Sequence, residues 1–505
     1  MSSVAARLFA RLFATQDTLP EQDTRRSFRL LTVHGVAAMS MTALLGGPFL
    51  GAFAIAMGAS NYEIGLLASI GMISQFMQLP GLYLVKKVAR RRAIMVLATA
   101  TVRLAWLPVV LIPVLFLDRG VTFLIQWLFI ATMVGALAVP AWNSLLRDIV
   151  PTTMMGRVFA RRMMLGTGSA LVLTLGGGYF VDVWKTAFPD AALYAYSLVF
   201  GLGILFGVVA TSAVARLPEP TMAPQGDESL LALLAEPLKD RNFRSLLAFV
   251  AAWSFSINLA APFFIIYMMK RLDMPVSMVT VMTVVSQLVN LLFLRIWGRL
   301  ADRYSNKSVL ALSGPLFLVA VLGWTFTTMP EKHTLTLPLL FAIHALSGMS
   351  LAGVSLASAN IALKLSPSRS AHSYMTVHGM VAAMTGATAP LVGGALADFF
   401  STHEFSIAIN WAGPETQLSM YALNLRALDF LFVIAFVLGL YSMHRLAHVR
   451  EKGEVTQAEL REELLSEVAA PFRSAHTVLG IRHLATLPLS AIHRFSEGRR
   501  RGPEQ

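Results

Sequence analysis

The residues able to do chemistry in this chain are few, and most interrupt long apolar runs. Arg103 stands ten positions into one such run, and Arg426 and Asp429 stand three apart in another. A guanidinium inside a membrane-length apolar stretch needs a partner or a water-filled cavity, so Arg103 reads as an anion contact or as a lock between helices. Arg426 and Asp429, at i and i+3, read as an ion pair on one helix face. His34, Gln126, Asn258, Gln287, Asn290 and His344, with Gln75 and Gln78, are polar side chains in apolar surroundings. Each is able to bind a ligand or to hydrogen-bond between helices. His34 and His344 are the groups able to carry a proton near neutral pH. Glu63, Asp182 and Asp398 fall at the ends of apolar runs, where a carboxylate stays hydrated.

Other chemistries have no residues to serve them. The sequence contains no cysteine, which excludes disulfides, thiolate catalysis and Cys-ligated metals. It has no His-Glu-x-x-His spacing, nucleophile elbow or phosphate-binding loop, so neither an enzyme, a metal, a cofactor nor direct drive by ATP is expected. The net charge of +13 is carried in short clusters between apolar runs and in the tails. That placement suits anionic membrane lipids, not nucleic acid, which would call for a basic groove interleaved with aromatics.

The elements that must position these residues follow from hydropathy. Hydrophobic residues make up 56% of the 505, charged residues only 14%, and mean hydropathy is +0.63. A soluble chain of this length needs more charge to cover its surface. The apolar runs reach the roughly 20 residues that cross a bilayer. Twelve spans are expected, at 28–57, 61–85, 93–117, 121–146, 163–184 and 193–215, then 244–269, 277–297, 308–328, 336–363, 373–400 and 421–444. The expected organisation is a 1–27 N-tail, a first bundle 28–215, a linker 216–243 marked by Pro218, Pro220, Pro224 and Gly226, a second bundle 244–445, and a tail 446–505. With both termini on one side, 33 of the 41 Lys and Arg fall on that side and 5 on the other. The termini are therefore expected to be cytoplasmic and the protein to sit in a bacterial-type inner membrane. Residues 4–14 suit a short interfacial helix, and 456–468 and 475–495 suit amphipathic helices against the cytoplasmic lipid face.

The two halves repeat. Pro48-Phe49 matches Pro262-Phe263 at an offset of 214, and Asn143 to Arg147 matches Asn360 to Lys364 at 217. Gly177-Gly178 with Asp182 matches Gly393-Gly394 with Asp398 at 216. Three matches in order, on corresponding spans, make an internal duplication. The glycines let helices approach closely, and Pro48, Pro140, Pro262 and Pro390 are expected to be kinks.

The loop after span 8 reads Gly298-Arg-Leu300-Ala-Asp302-Arg303-Tyr-Ser-Asn-Lys307, and its first-half counterpart begins at Gly81. It resembles the signature loop of the major facilitator superfamily. That resemblance covers 28–444 and implies an all-α membrane fold of two pseudo-symmetric six-helix bundles. It further implies a cavity between the bundles, lined by spans 1, 4, 7 and 10, which here offer His34, Gln126, Asn258 and His344; spans 8 and 2 add Gln287, Asn290, Gln75 and Gln78. The expected function is alternating-access transport of a small solute by a monomer, driven by a gradient such as that of protons, or running downhill. The alternative is a non-transporting scaffold acting through its tail. Asp302, beside a helix terminus and near Arg303 and Lys307, is expected to make and break contacts as a conformational gate, with Gly81 and Gly298 giving the close approach. The chain departs from the family pattern at Val85, Ser305 and Asn306.

Overall fold

The computed structural model describes residues 13–16, 20–115, 119–222, 230–328, 331–367, 369–412 and 417–479. Most of the 4–14 segment and all of 480–505 lie outside these residues. Among those described, twelve helices are long and apolar enough to cross a membrane. Spans 1 to 6 are Gln22–Ala56, Asn61–Val88, Arg91–Val110, Gly120–Ile149, Thr152–Ala187 and Pro189–Ala215. Spans 7 to 12 are Arg241–Arg271, Val276–Arg303, Asn306–Phe326, Thr336–Leu365, Ala371–Phe400 and Leu428–Ala447. Twelve crossings put both ends of the span region on one face of the molecule, here called the terminal face.

The duplication seen in the sequence is repeated in the packing. Span 1 packs on spans 5 and 6, span 3 on 4 and 6, and span 2 on 4. Adding six to each number gives the principal contacts of the second bundle: 7 on 11 and 12, 9 on 10 and 12, and 8 on 10. Between bundles, span 2 meets span 11 and span 5 meets span 8, again as a symmetric pair. Ser40 Oγ lies 2.8 Å from Ser169 Oγ across spans 1 and 5, and its counterpart Ser254 donates to the Ala382 carbonyl across spans 7 and 11 at 2.9 Å.

The helix breaks follow local chemistry. Span 1 breaks at Gly46-Gly47, where Gly47 has φ +52°, and restarts with Pro48 in the first turn. Span 7 breaks at Ala260 and restarts after Pro262. Pro390, by contrast, lies inside an unbroken helix. Span 5 begins at Thr152, well before the 163 suggested by hydropathy, because Arg157, Arg161 and Arg162 lower hydropathy without opposing helix.

Span 12 begins at Leu428, not 421. The preceding residues form an antiparallel hairpin, β1 (Glu404–Ala412) and β2 (Gln417–Arg426), on the face opposite the termini. Nothing comparable joins spans 5 and 6, where a short turn at Pro189–Ala191 suffices. The linker contains a helix, Leu230–Lys239, and Asp240 caps span 7 by accepting from the Asn242 and Phe243 N–H groups. The tail forms a helix at Gln457–Leu479.

Candidate functional site

The second bundle carries an open pocket of about 290 Å³ between spans 7, 10 and 11. Its polar lining is Ser254 and Asn258, Ser355 and Ser358, and His378; Trp253, Ile257 and Leu351 supply much of the apolar wall. Asn258 is steadied by its own helix, donating from Nδ2 to the Ser254 carbonyl at 2.7 Å. His378 Nε2 is buried without a hydrogen-bond partner among the described residues. The cavity lining carries hydroxyl, amide and imidazole groups and no carboxylate.

The first bundle places charge in its interior. His34 of span 1 lies 4.5 Å, ring to ring, from Trp142 of span 4. Arg162 of span 5 lies over the same indole and within 3.5 Å of His34 Nδ1. Arg103 points elsewhere. Its guanidinium donates to the Thr99 carbonyl of its own helix at 2.9 Å and to the Gly207 carbonyl of span 6 at 3.3 Å.

At the hairpin face, two carboxylates tie the bundles together. Asp398, ending span 11, accepts from the Asn61 and Tyr62 backbone N–H groups at 3.1 and 3.0 Å and from Asn61 Nδ2 at 2.9 Å. Asp182, ending span 5, accepts from the Val276 and Ser277 N–H groups at 3.0 and 2.6 Å. Each satisfies orphan donors at the first turn of a helix in the other bundle, where the helix dipole also favours negative charge. Glycine makes both approaches possible: a methyl on Gly178 would collide with Thr280, and one on Gly394 would lie 2.7 Å from Tyr62 Cα. Ser69 Oγ also donates to the Ala387 carbonyl, and Lys270 Nζ to the Ala59 carbonyl. Among the described residues every hydrogen bond between the span bundles lies in this half of the molecule.

At the terminal face the same chemistry stays within each bundle. Glu219, just past span 6, accepts from the Arg91 and Arg92 N–H groups at 2.7 Å each, opening span 3. Glu451, just past span 12, accepts from the Lys307 N–H at 2.7 Å and Asn306 Nδ2 at 2.9 Å, opening span 9. Arg91 is fully buried, paired with Asp148 and with Glu219. The tail helix then seats on the second bundle. Glu463 pairs with Arg303, Glu467 Oε2 with Arg299 at 2.5 Å, and Glu454 with Lys307 at 2.8 Å, while Leu460 and Leu464 are buried. It therefore covers the ends of spans 8 and 9, where the sequence suggests lipid.

Of the residues singled out in the sequence, Asn258 lines the cavity and His34 joins the charged cluster. Gln126 and Gln287 are exposed. Asn290 donates to the Gly348 carbonyl at 3.2 Å, joining spans 8 and 10, and His344 packs edge-on to Trp324 and bonds its own helix. Gln75 and Gln78 bond each other. Gly81 allows span 2 to approach Leu137 of span 4, and Gly298 has only Leu356 nearby. Asp302 is exposed and forms no ion pair among the described residues. Gly177 faces Phe49, and Gly393 faces Leu259 and Phe263.

The expected Arg426–Asp429 pair on one helix is corrected. Arg426 is in β2 and its guanidinium pairs with Glu404 at 2.7 Å, while Asp429 accepts the Arg426 backbone N–H at 3.0 Å. A strand residue and a helix residue share no helical face. Sequence reasoning does not single out Arg162, His378, Glu219 or Glu451, and it sets Asp182 and Asp398 aside as hydrated. The repeat aligns those two aspartates, which is the available signal.

Residues 244–490 match the Major Facilitator Superfamily. Among solved structures, a point mutant of the nucleoside transporter NupG superposes with a TM-score of 0.64 at 12% identity, covering 84% of this chain and all of that one. A D-xylose-proton symporter gives 0.62 at 12% identity over 85% and 99%. A bacterial homologue of the human drug peptide transporters PepT1 and PepT2 gives 0.58 at 11% over 87% and 99%. No curated protein matches the chain by sequence.

Proposed function

Since residues 244–490 match the Major Facilitator Superfamily and the chain shares the fold of its solved transporters, we propose that it is a member of that family, a transporter moving a small solute across a membrane by alternating access. The observation that carries this reading is the one-sided seam between the bundles. Among the described residues the hydrogen bonds between the bundles lie in the hairpin-face half, and polar side chains lie below that seam. Two rigid bodies held at one end are a device for opening at the other.

The excess of Lys and Arg on the terminal face supports cytoplasmic termini and a bacterial inner membrane. With that orientation the arrangement is inward-facing. Asp302 and its basic neighbours remain the proposed cytoplasmic gate, set by contacts that would form when the terminal face closes. A coupling proton would fall to the histidines, His34 or His378, since no carboxylate lines the cavity.

The test is counterflow in proteoliposomes with nucleosides, pentoses, dipeptides and small organic acids, the classes suggested by the relatives and by the interior charge. Saturable exchange of any one of these, lost on cross-linking Tyr62→Cys to a cysteine placed on span 11, is the expected result. If no solute crosses and the tail alone supports the cellular phenotype, the scaffold reading replaces this one. The seating of the tail helix on spans 8 and 9 is the feature that favours that second reading.

A further inference from the structure

Arg162 differs from the other interior arginines in what it touches. Arg91 is paired with carboxylates, and Arg103 is satisfied by main-chain carbonyls. The described partners of Arg162 are the Trp142 face, 5.1 Å from guanidinium carbon to ring centre, and His34 Nδ1 at 3.5 Å. Neither carries negative charge. Spans 1, 4 and 5 converge on this group, and Gly35 leaves the room it fills, since a methyl there would collide with the Arg162 side chain. The side chain is half-buried, so part of it stays accessible.

A guanidinium lying on an indole keeps its N–H edge free. Those coplanar donors match the two oxygens of a carboxylate or phosphate. An unneutralised cation at an interior position is stable where water or an incoming anion completes it. We propose that Arg162, lying on Trp142 beside His34, is the anion-receiving group of the solute site, so that the solute carries a carboxylate or phosphate group. This deepens the transporter reading and rests on it. The second-bundle cavity, with serines, an asparagine and a histidine but no cation, offers no competing charge.

Trp142 reports on the site directly. Its fluorescence is taken as the difference between the unaltered protein and Trp142→Phe, in nanodiscs of neutral phosphatidylcholine at fixed ionic strength. Iodide and acrylamide quenching are compared. Iodide gathered by Arg162 should quench this component about twofold more, relative to acrylamide, than it quenches the remaining tryptophans. Arg162→Gln should remove that excess and Arg162→Lys should keep most of it. Benzoate or phenyl phosphate should suppress the excess, and benzyl alcohol should not. Parity of iodide and acrylamide in the unaltered protein, or an excess unchanged in Arg162→Gln, overturns the site. Loss of the excess when phosphatidylglycerol replaces phosphatidylcholine assigns Arg162 to a lipid headgroup and overturns the solute assignment; persistence supports it. Counterflow separates the two readings. Flux without the iodide excess leaves the transporter standing and removes the anion site, whereas the excess without flux of any solute does the reverse.

Discussion

The two faces of the molecule use one interaction to opposite ends. Asp182 and Asp398 cap helices across the seam between bundles, and Glu219 and Glu451 cap helices within a bundle. Asp182 and Asp398 are aligned by the internal repeat, and Glu219 and Glu451 each follow the last span of their bundle. Carboxylate on a helix N-terminus has similar chemistry in all four places. What differs is whether the capped helix belongs to the same rigid body. A cap inside a body stiffens it in every conformation; a cap between bodies stabilises one conformation only, and so biases the equilibrium.

The comparison is most exposed at Glu219. Only 1% of it is accessible, and it neutralises a fully buried Arg91. Removing one partner of a buried pair costs about 3 kcal/mol or more. Glu219→Ala should therefore lower the thermal midpoint sharply while leaving the hairpin-face seam closed. If stability holds and the seam opens, the two faces are not separate in function.

Next in size is the pair of latches. Removing both with Asp182→Asn and Asp398→Asn should forfeit about 3 kcal/mol of closure, roughly a hundredfold in the open-to-closed ratio. The natural chain has no cysteine, so maleimide labelling of Ser277→Cys reads the opening without background. Labelling should rise strongly in the double variant and partially in each single one. A fall in stability with no change in labelling would make these aspartates structural caps and nothing more.

Hydropathy and the repeat make the twelve helices and their two bundles legible, because burial in lipid and duplication both leave long-range regularities in sequence. The latches are not legible. Asp182 at a span end looks hydrated until the first turn of span 8 is brought against it from the other bundle, and no local pattern encodes that. Arg162 reads as loop since a run of arginines ends an apolar stretch, yet the helix continues through it. The hairpin escapes for a different reason. Phe405, Ile407 and Ile409 alternate as a strand does, but Tyr421 to Arg426 run into the apolar start of span 12 and merge with it in hydropathy.

A smaller effect is expected from the tail. Its ion pairs with Arg299 and Arg303 are largely solvent-exposed, worth about 0.5 kcal/mol each and weakened by salt. Burial of Leu460 and Leu464 adds more and is not salt-sensitive. Raising salt should therefore loosen the tail helix without releasing it, whereas Leu460→Ser with Leu464→Ser should release it. Hydrogen exchange along 457–468 distinguishes these. Release that also opens the hairpin-face seam would show the tail acting on the gate, and not merely bracing spans 8 and 9.

The smallest effect tests whether the hairpin belongs to the latch beside it. The hairpin follows span 11, whose end carries Asp398, and it has no counterpart near Asp182. Hydrogen bonds from Arg426 and Asn424, both 2.7 Å, hold the Glu404 carboxyl below its ordinary value of 4.5. A carboxylate with a folded pKa below its unfolded one lends full stability above the unfolded value and loses it as pH falls through the folded value. Amide protection at Phe405 and Leu425, corrected for intrinsic exchange, should thus be flat from about pH 7 to 5 and decline below about 4, and Glu404→Gln should remove the decline. Over the same range the Asn61 and Tyr62 amides, held by Asp398, should keep their protection relative to Val276 and Ser277, held by Asp182. Equal behaviour of the two latches while the hairpin loosens would place closure in the duplicated helix ends alone. If instead protection at Asn61 and Tyr62 follows Glu404, the hairpin is a working part of one latch, and the symmetry between the two is broken.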